Sequence, residues 1–154
     1  MKKRSIAALT TAAAVSAGTV FAVTGATAAS SSDAVRAVQT ASKGTSAKPY
    51  ELDRERGHWE VTFADGTQKL VTLNGSKVTK TRRDDRDADV AQARTSLVAA
   101  LRAAAPRAGN TQLTDADLDA DDGQLVWQIG FANDTDVDVD ARTGKVLRVD
   151  NDDD

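Results

Sequence analysis

Apolar and polar residues alternate along the stretch 123–150, and the alternation divides it into three segments. The apolar members are Leu125, Trp127, Ile129 and Phe131, then Val137 and Val139, then the run 146–149. Alternation of this kind is typical of strands that bury one face, and turn residues separate the three segments. We therefore predict an antiparallel meander of three strands.

The same pattern occurs earlier in the chain. Trp59, Val61 and Phe63 reappear with identical spacing as Trp127, Ile129 and Phe131, and the run Val71, Lys77 and Val78 reappears as Val139, Lys145 and Val146. Beyond residue 28 the aromatic residues are Tyr50 and these two Trp/Phe pairs, so chance agreement is a poor explanation. The repetition indicates two diverged copies of one unit.

The first residues predict export. Lys2, Lys3 and Arg4 precede an uncharged run over 5–29 that is rich in Ala, Val and Thr, and Ala26-Thr27-Ala28 supplies a small-residue cleavage site. This arrangement is typical of a signal peptide cut after Ala28, which would leave a secreted, extracellular protein without a membrane segment. The alternative is an uncleaved membrane anchor, but Thr, Ser and Gly dilute the run. Because the chain has no cysteine, a cysteine-linked lipid anchor is excluded.

Two helices complete the predicted elements. A short one over 34–41 has Ser32 or Asp33 as its cap, and a longer one extends from Val90 to Pro106. The predicted fold is α+β, with two tandem units that each pack one helix on a three- to four-stranded antiparallel sheet. The predicted divisions are a signal peptide at 1–28, a first unit at 29–81, a charged linker at 82–87, a second unit at 88–150 and an acidic tail at 151–154.

Composition restricts the partners. The chain has a net charge of −3, and removal of the basic signal peptide would make it more acidic. Such a chain lacks the basic footprint that nucleic acid or an anionic membrane requires, so we expect neither as a partner. With no cysteine there is no disulfide, and stability must come from the core. A unit of about 60 residues is marginal by itself, which favours packing of the two copies together.

The second copy resembles the PepSY domain family. The resemblance rests on an Ala-rich helix that ends near Pro106, on Asp122-Gly123, on Trp127 with its alternating partners, and on the run 139–147, which contains Thr143-Gly144. It covers roughly 88–149 well and 33–81 more loosely, because Leu73-Asn74-Gly75-Ser76 replaces the family's turn. PepSY units occur in propeptides of thermolysin-like metalloproteases and in other exported proteins. The resemblance implies restraint or inhibition of a peptidase and brings no catalytic residue.

The residue inventory argues against catalysis. Cysteine chemistry is impossible, and a single histidine excludes a His-rich zinc site. His58 begins a strand and points away from the Trp59 face, so we interpret it as a surface imidazole beside Glu60. Trp127 is interpreted as a core side chain, with a ligand platform as the alternative. We therefore predict no enzyme activity, no catalytic residue, no cofactor and no metal ligand. At Gly144 we expect the positive φ of a tight turn.

Alternating aspartates leave two interpretations open. The aspartates at 115, 117, 119 and 121 share one face of a predicted strand, and those at 136, 138 and 140 share one face of another. A solvated acidic face would explain them, and so would a divalent-cation site if the strands were neighbours. The sequence thus predicts a secreted, non-enzymatic module that binds an extracellular protein, in particular a secreted peptidase. The alternative is an acidic, calcium-binding envelope protein.

Overall fold

The structure is a computed structural model, and it describes residues 30–83, 90–121 and 123–151. In chain order the elements are α1 (Ser31–Ala41), β1 (Pro49–Glu55), β2 (His58–Phe63), β3 (Thr67–Thr72), β4 (Val78–Arg83), α2 (Leu97–Ala104), a 3₁₀ turn (Ala105–Arg107), β5 (Leu113–Asp121), β6 (Gln124–Phe131), β7 (Thr135–Asp140) and β8 (Val146–Asn151). The predicted meander of the second half corresponds to β6, β7 and β8.

All eight strands form one antiparallel sheet in the order β4-β3-β2-β1-β5-β6-β7-β8. The prediction of two tandem units, each with its own helix on its own sheet, is therefore wrong. The two halves meet where β1 pairs with β5, and Leu52 lies opposite Ala116 at the join. Both side chains are fully buried. Their burial on the inner face makes this pairing favourable and merges the two halves into one continuous sheet.

Both helices lie on the same face of the sheet. The α1 helix contacts β2 and β3, the α2 helix contacts β6 and β7, and the two helices contact each other. The alternating residues of the strands supply the core beneath them, and its largest fully buried members are Trp59, Trp127, Phe63, Leu52, Leu97, Leu101, Leu113 and Ile129. A sheet covered by helices on one side keeps its opposite face polar, as the alternation predicts.

The α1 helix begins one residue after Ser30, which is its N-cap, rather than at the predicted Ser32 or Asp33. Ser30 and Asp33 form a capping box in which each side chain bonds the other residue's backbone amide. At the other end of the helix, the Lys69 ammonium donates to the carbonyl of Ala41 at 2.6 Å. A cation at this position satisfies an orphan carbonyl and suits the helix dipole.

The second helix is shorter than predicted, since it begins at Leu97 instead of Val90. The amides of Arg94 and Thr95 donate to the carbonyl of Ala141, at 2.9 and 2.8 Å, rather than to acceptors of a helical turn. Ser96 then caps the helix by accepting from the amide of Ala99 at 3.2 Å. The turn between β7 and β8 thus holds the segment before α2 in a non-helical path. Helical spacing alone gave no sign of this contact.

Some predicted segments lie outside the described residues. These are the signal peptide at 1–28, residues 84–87 of the predicted linker and residues 152–154 of the predicted tail. Arg82 and Arg83 belong to β4, and Asn151 belongs to β8. Among the residues that are described, no helix is both long enough and apolar enough to cross a membrane.

Candidate functional site

The sheet is open, so its outer strands β4 and β8 each have one side that pairs with no other strand in the described chain. On β8, Leu147 and Val149 are 48% and 37% exposed, and they are the exposed large apolar side chains of the described ranges. Val149 lies opposite Val137, which points toward the core, so Val149 is on the helix-covered side, and Leu147 lies at the register shift between β7 and β8. We call Leu147 and Val149 on β8 the apolar edge.

The opposite edge has a different character. From Thr79 onward β4 is exposed, and its side chains are Thr79, Lys80, Thr81, Arg82 and Arg83. Arg82 also pairs with Glu60 of β2 at 3.7 Å. Natural sheets protect their edges with charged side chains, lysine above all, and β4 follows this rule. The two edges therefore differ in what they offer to another chain.

The turn between β7 and β8 fixes the start of the apolar edge. One oxygen of the Asp140 carboxylate accepts from the amides of Thr143 and Arg142 at 2.6 and 2.9 Å, and the other accepts from Gln124 at 2.6 Å. The bond from the Thr143 amide, with the others, lowers the pKa of Asp140 to about 2. Gly144 has a φ of 73°, so the expected positive φ is confirmed. The residues of the PepSY-like motif therefore shape a turn.

Trp127 is a core residue, as we interpreted it from the sequence. The side chain is 2% exposed, and its indole N–H donates to the carbonyl of Thr95 at 3.1 Å. Trp59 is fully buried, and its indole N–H donates to the carbonyl of Leu73 at 2.9 Å. Each ring thus ties its strand to a loop on the helical side of the sheet.

The aspartate rows lie on the outer face of the sheet but not next to each other. The β6 strand separates β5, with Asp115 and Asp117, from β7, with Asp136 and Asp138. On β7, Arg148 of β8 contacts Asp138 at 3.0 Å and neutralises it. The described residues contain no group of three or more His, Asp or Glu side chains arranged to hold a metal ion. The condition set for the calcium alternative, neighbouring strands, is not met.

The β5 aspartates instead meet acidic residues of β1. Glu51 lies opposite Asp117, and Asp53 lies between Asp115 on one side and Glu60 on the other. Burial, followed by the negative charges of Glu51, Asp115, Glu60 and Asp117, raises the pKa of Asp53 to about 7. A carboxyl with a pKa in this range keeps its proton in the folded protein at mildly acidic pH, when an unfolded aspartate has lost it.

This shift predicts a pH dependence of stability. Between about pH 4 and pH 7 the folded state holds a proton on Asp53 that the unfolded chain releases, so the contribution of this group to stability falls as pH rises. We expect Asp53→Asn to raise the melting temperature at about pH 8 and to change it little at about pH 4. Thermal melts across this range measure the effect. Asp119→Asn, on an exposed side chain of the same face, is the control and should show no such gain.

His58 occupies the first position of β2 and is partly exposed, on the face opposite to Trp59. Glu60 follows two residues later on the same face. This placement agrees with the interpretation of a surface imidazole. The sequence analysis missed the exposed apolar side chains of β8, because alternation alone does not show which strand lies at an edge of the sheet.

The described part of the chain is an open sheet, and the residues of its motif form a turn. Residues 96–150 match the family model for PepSY, described as "Peptidase propeptide and YPEB domain". This part of the chain is a PepSY domain, as its motif indicated. The match fits a non-enzymatic module of an extracellular or cell-envelope protein.

Two further comparisons complete the findings. No curated protein sequence matches the chain. Among solved structures, the chain is similar to a crystal structure from Clostridium difficile 630 described as a "putative lipoprotein". The two are 20% identical with a TM-score of 0.41, and the match covers 80% of this chain and 93% of the other.

Proposed function

We propose that this protein is a secreted, non-enzymatic module that binds an extracellular protein by adding a strand of the partner to the apolar edge of β8. The single observation that carries the proposal is the contrast between the two sheet edges. Exposed lysine and arginine protect β4, which has no exposed large apolar side chain, whereas β8 presents Leu147 and Val149 in alternation with Arg148 and Asp150, which pair with each other. An unprotected edge with apolar side chains is a template for pairing with another chain.

Strand addition supplies both affinity and selectivity. The backbone N–H and C=O groups on the outer side of β8 would bond the partner strand, and Leu147 and Val149 would contact its alternate side chains. Arg148 is already engaged with Asp138 and Asp150, at 3.0 and 3.2 Å, so it is not a free cation for a partner strand. The edge therefore favours an extended apolar segment over a highly charged one. No reactive side chain is needed.

The partner that we propose is a secreted peptidase, which this protein restrains. Support comes from the family description, which names peptidase propeptides, and from the predicted export of the chain into the compartment where such enzymes act. A peptidase segment that pairs with β8 would be held at the sheet edge and away from the catalytic groups, so this protein would bind without being cleaved. Binding without turnover would make the protein an inhibitor or regulator.

The test compares substitutions on the two edges. Leu147→Lys should weaken binding of secreted peptidases, thermolysin-like metallopeptidases included, at least about tenfold, because it places a charge in the strand-addition site. Thr81→Lys, an exposed position on the opposite edge, is the matched control and should leave binding unchanged. Peptidase activity and binding are measured with the purified protein in stoichiometric excess, after thermal melts establish that both variants fold.

Two outcomes would count against the proposal. Undiminished peptidase activity together with no measurable complex would remove the peptidase as partner. Equal loss of binding in the two edge variants would show that charge, rather than the apolar edge, determines the interaction.

A further inference from the structure

A small cavity opens on the helical side of the sheet, between the start of α2 and the start of β1, and has a volume of about 130 Å³. Its walls include Pro49, Val90, Leu97 and the ring of Trp127. Leu97 and Trp127 are 1% and 2% exposed, so the inner part of the cavity is apolar and belongs to the hydrophobic core. None of its lining residues belongs to β8, so binding in the cavity would not depend on strand addition at β8.

Hydrogen bonds fix the backbone segments that line the cavity. Two bonds to the carbonyl of Ala141 fix the non-helical segment before α2, and the carbonyl of Thr95 accepts the indole N–H of Trp127 at 3.1 Å. Across the opening, the carbonyl of Lys48 accepts from the amide of Ala64 at 2.9 Å. Because both walls are anchored to the sheet, the cavity is preformed, and a ligand would not have to order it.

Two cationic residues belong to the exposed part of the cavity lining. Lys48 and Arg94 both contribute to its lining, and both residues are exposed. Neither makes an ion pair with any residue in the described ranges. The N-terminal end of α2 lies beside them, since Ser96 and Leu97 also line the cavity, and it adds positive potential. On an acidic chain, this is a local site for one negative charge next to an apolar recess.

Size restricts what the recess can hold. An apolar cavity of about 150 Å³ can bind benzene, so about 130 Å³ accommodates one branched aliphatic side chain and little more. A long acyl chain would extend into water beyond it. One carboxylate attached next to one short apolar group is the chemistry of the last residue of a peptide.

We propose that this cavity binds the C-terminal residue of an extracellular peptide or protein. The apolar side chain of that residue, of leucine size, fills the recess against Trp127 and Leu97. Its α-carboxylate pairs with Lys48 and Arg94, whose charge-assisted hydrogen bonds are stronger than neutral ones. The site selects for a free C-terminus and for a terminal side chain that fits the recess.

Titration of the full mature chain with synthetic peptides tests the proposal. The probes are a short peptide that ends in leucine, the same peptide amidated at its C-terminus, and one that ends in glycine. Calorimetry gives the affinity, and tryptophan fluorescence reports occupancy because Trp127 lines the cavity. We expect the free leucine peptide to bind, and amidation or replacement by glycine to weaken binding at least about tenfold.

Charge variants then locate the site. Lys48→Gln with Arg94→Gln should weaken binding of the leucine peptide at least about tenfold, whereas Lys80→Gln with Arg102→Gln, on exposed residues elsewhere, should not. All four positions are exposed, so these variants should fold.

Three results would overturn the proposal. One is equal binding of the amidated and free peptides, and another is full binding by the double variant at the cavity. Hexanoate that binds as tightly as the leucine peptide would instead show a site for short carboxylic acids in general.

Discussion

Gly75→Ala is expected to destabilise the protein by about 2–5 kcal/mol, the sum of a backbone cost and a packing cost. Gly75 has a φ of 69°, where a residue with a Cβ is strained by about 1–2 kcal/mol. A Cβ built there would also lie 2.6 Å from the carbonyl oxygen of Asp33 and 2.7 Å from the amide of Ala37. These are backbone atoms of α1, so either the helix or the turn at Gly75 must shift.

Gly44→Ala separates the two costs. Gly44 has a φ of 76°, but a Cβ there would meet no atom within 4 Å. This variant should lose only the backbone contribution of about 1–2 kcal/mol. Chemical denaturation of both variants measures the difference. Equal losses would mean that α1 does not rest on the turn at Gly75, despite the bond from Thr40 to the carbonyl of that residue at 2.8 Å.

Trp127→Ala is expected to lower the free energy of unfolding by about 3–5 kcal/mol, because it removes the largest side chain from the core of the second half. It also leaves the carbonyl of Thr95 without the indole donor and joins the lost volume to the existing cavity. Both effects act on the segment that positions the start of α2. Denaturant unfolding followed by circular dichroism measures the loss.

Two comparison variants separate the loss of packing from the loss of the hydrogen bond and from the effect of an exposed position. Trp127→Phe keeps most of the apolar volume but removes the indole N–H, so its loss should be smaller, with about 1 kcal/mol from the missing hydrogen bond. Leu147→Ala, on the exposed apolar edge, should change stability by no more than about 0.5 kcal/mol. If Trp127→Ala cost as little as Leu147→Ala, the ring would have to be a binding surface rather than core.

Three surfaces of different character lie at different places on the sheet. The outer face of the sheet carries the acidic rows, the apolar edge lies at β8, and the cationic cavity lies on the helical side. A partner strand at β8 and a peptide end in the cavity would occupy different places. The acidic face takes part in neither proposed interaction. Its measurable consequence is the pH dependence of stability that arises from Asp53.

The local sequence predicts most of the strands, because alternating apolar and polar residues followed by turn residues are enough to recognise a strand. The bounds of β6, β7 and β8 follow the apolar positions, and Gly144 has the positive φ that its turn requires. The burial of Trp127 was also predictable, since an aromatic residue in an alternating strand belongs to the buried face. The PepSY domain at 96–150 is identified by the same local residues.

The join between the halves could not be predicted in this way. Glu51 faces Asp117 and Asp53 faces Asp115, and like charges directly opposite each other disfavour a strand pair. The outer-face pattern therefore argues against the pairing that forms. Fully buried Leu52 and Ala116 on the inner face, together with the contact between α1 and α2, outweigh this repulsion.

Local sequence pattern accounts for the strands, their turns, the buried tryptophans and the family of residues 96–150. Local pattern does not show that one sheet contains both halves, that α2 begins at Leu97, that β8 is an open edge or that Lys48 and Arg94 line one cavity. The difference lies in how far apart along the chain the interacting residues are. Periodicity and turn chemistry act between residues a few positions apart, whereas strand order and cavities depend on contacts between distant segments whose total burial decides among alternatives.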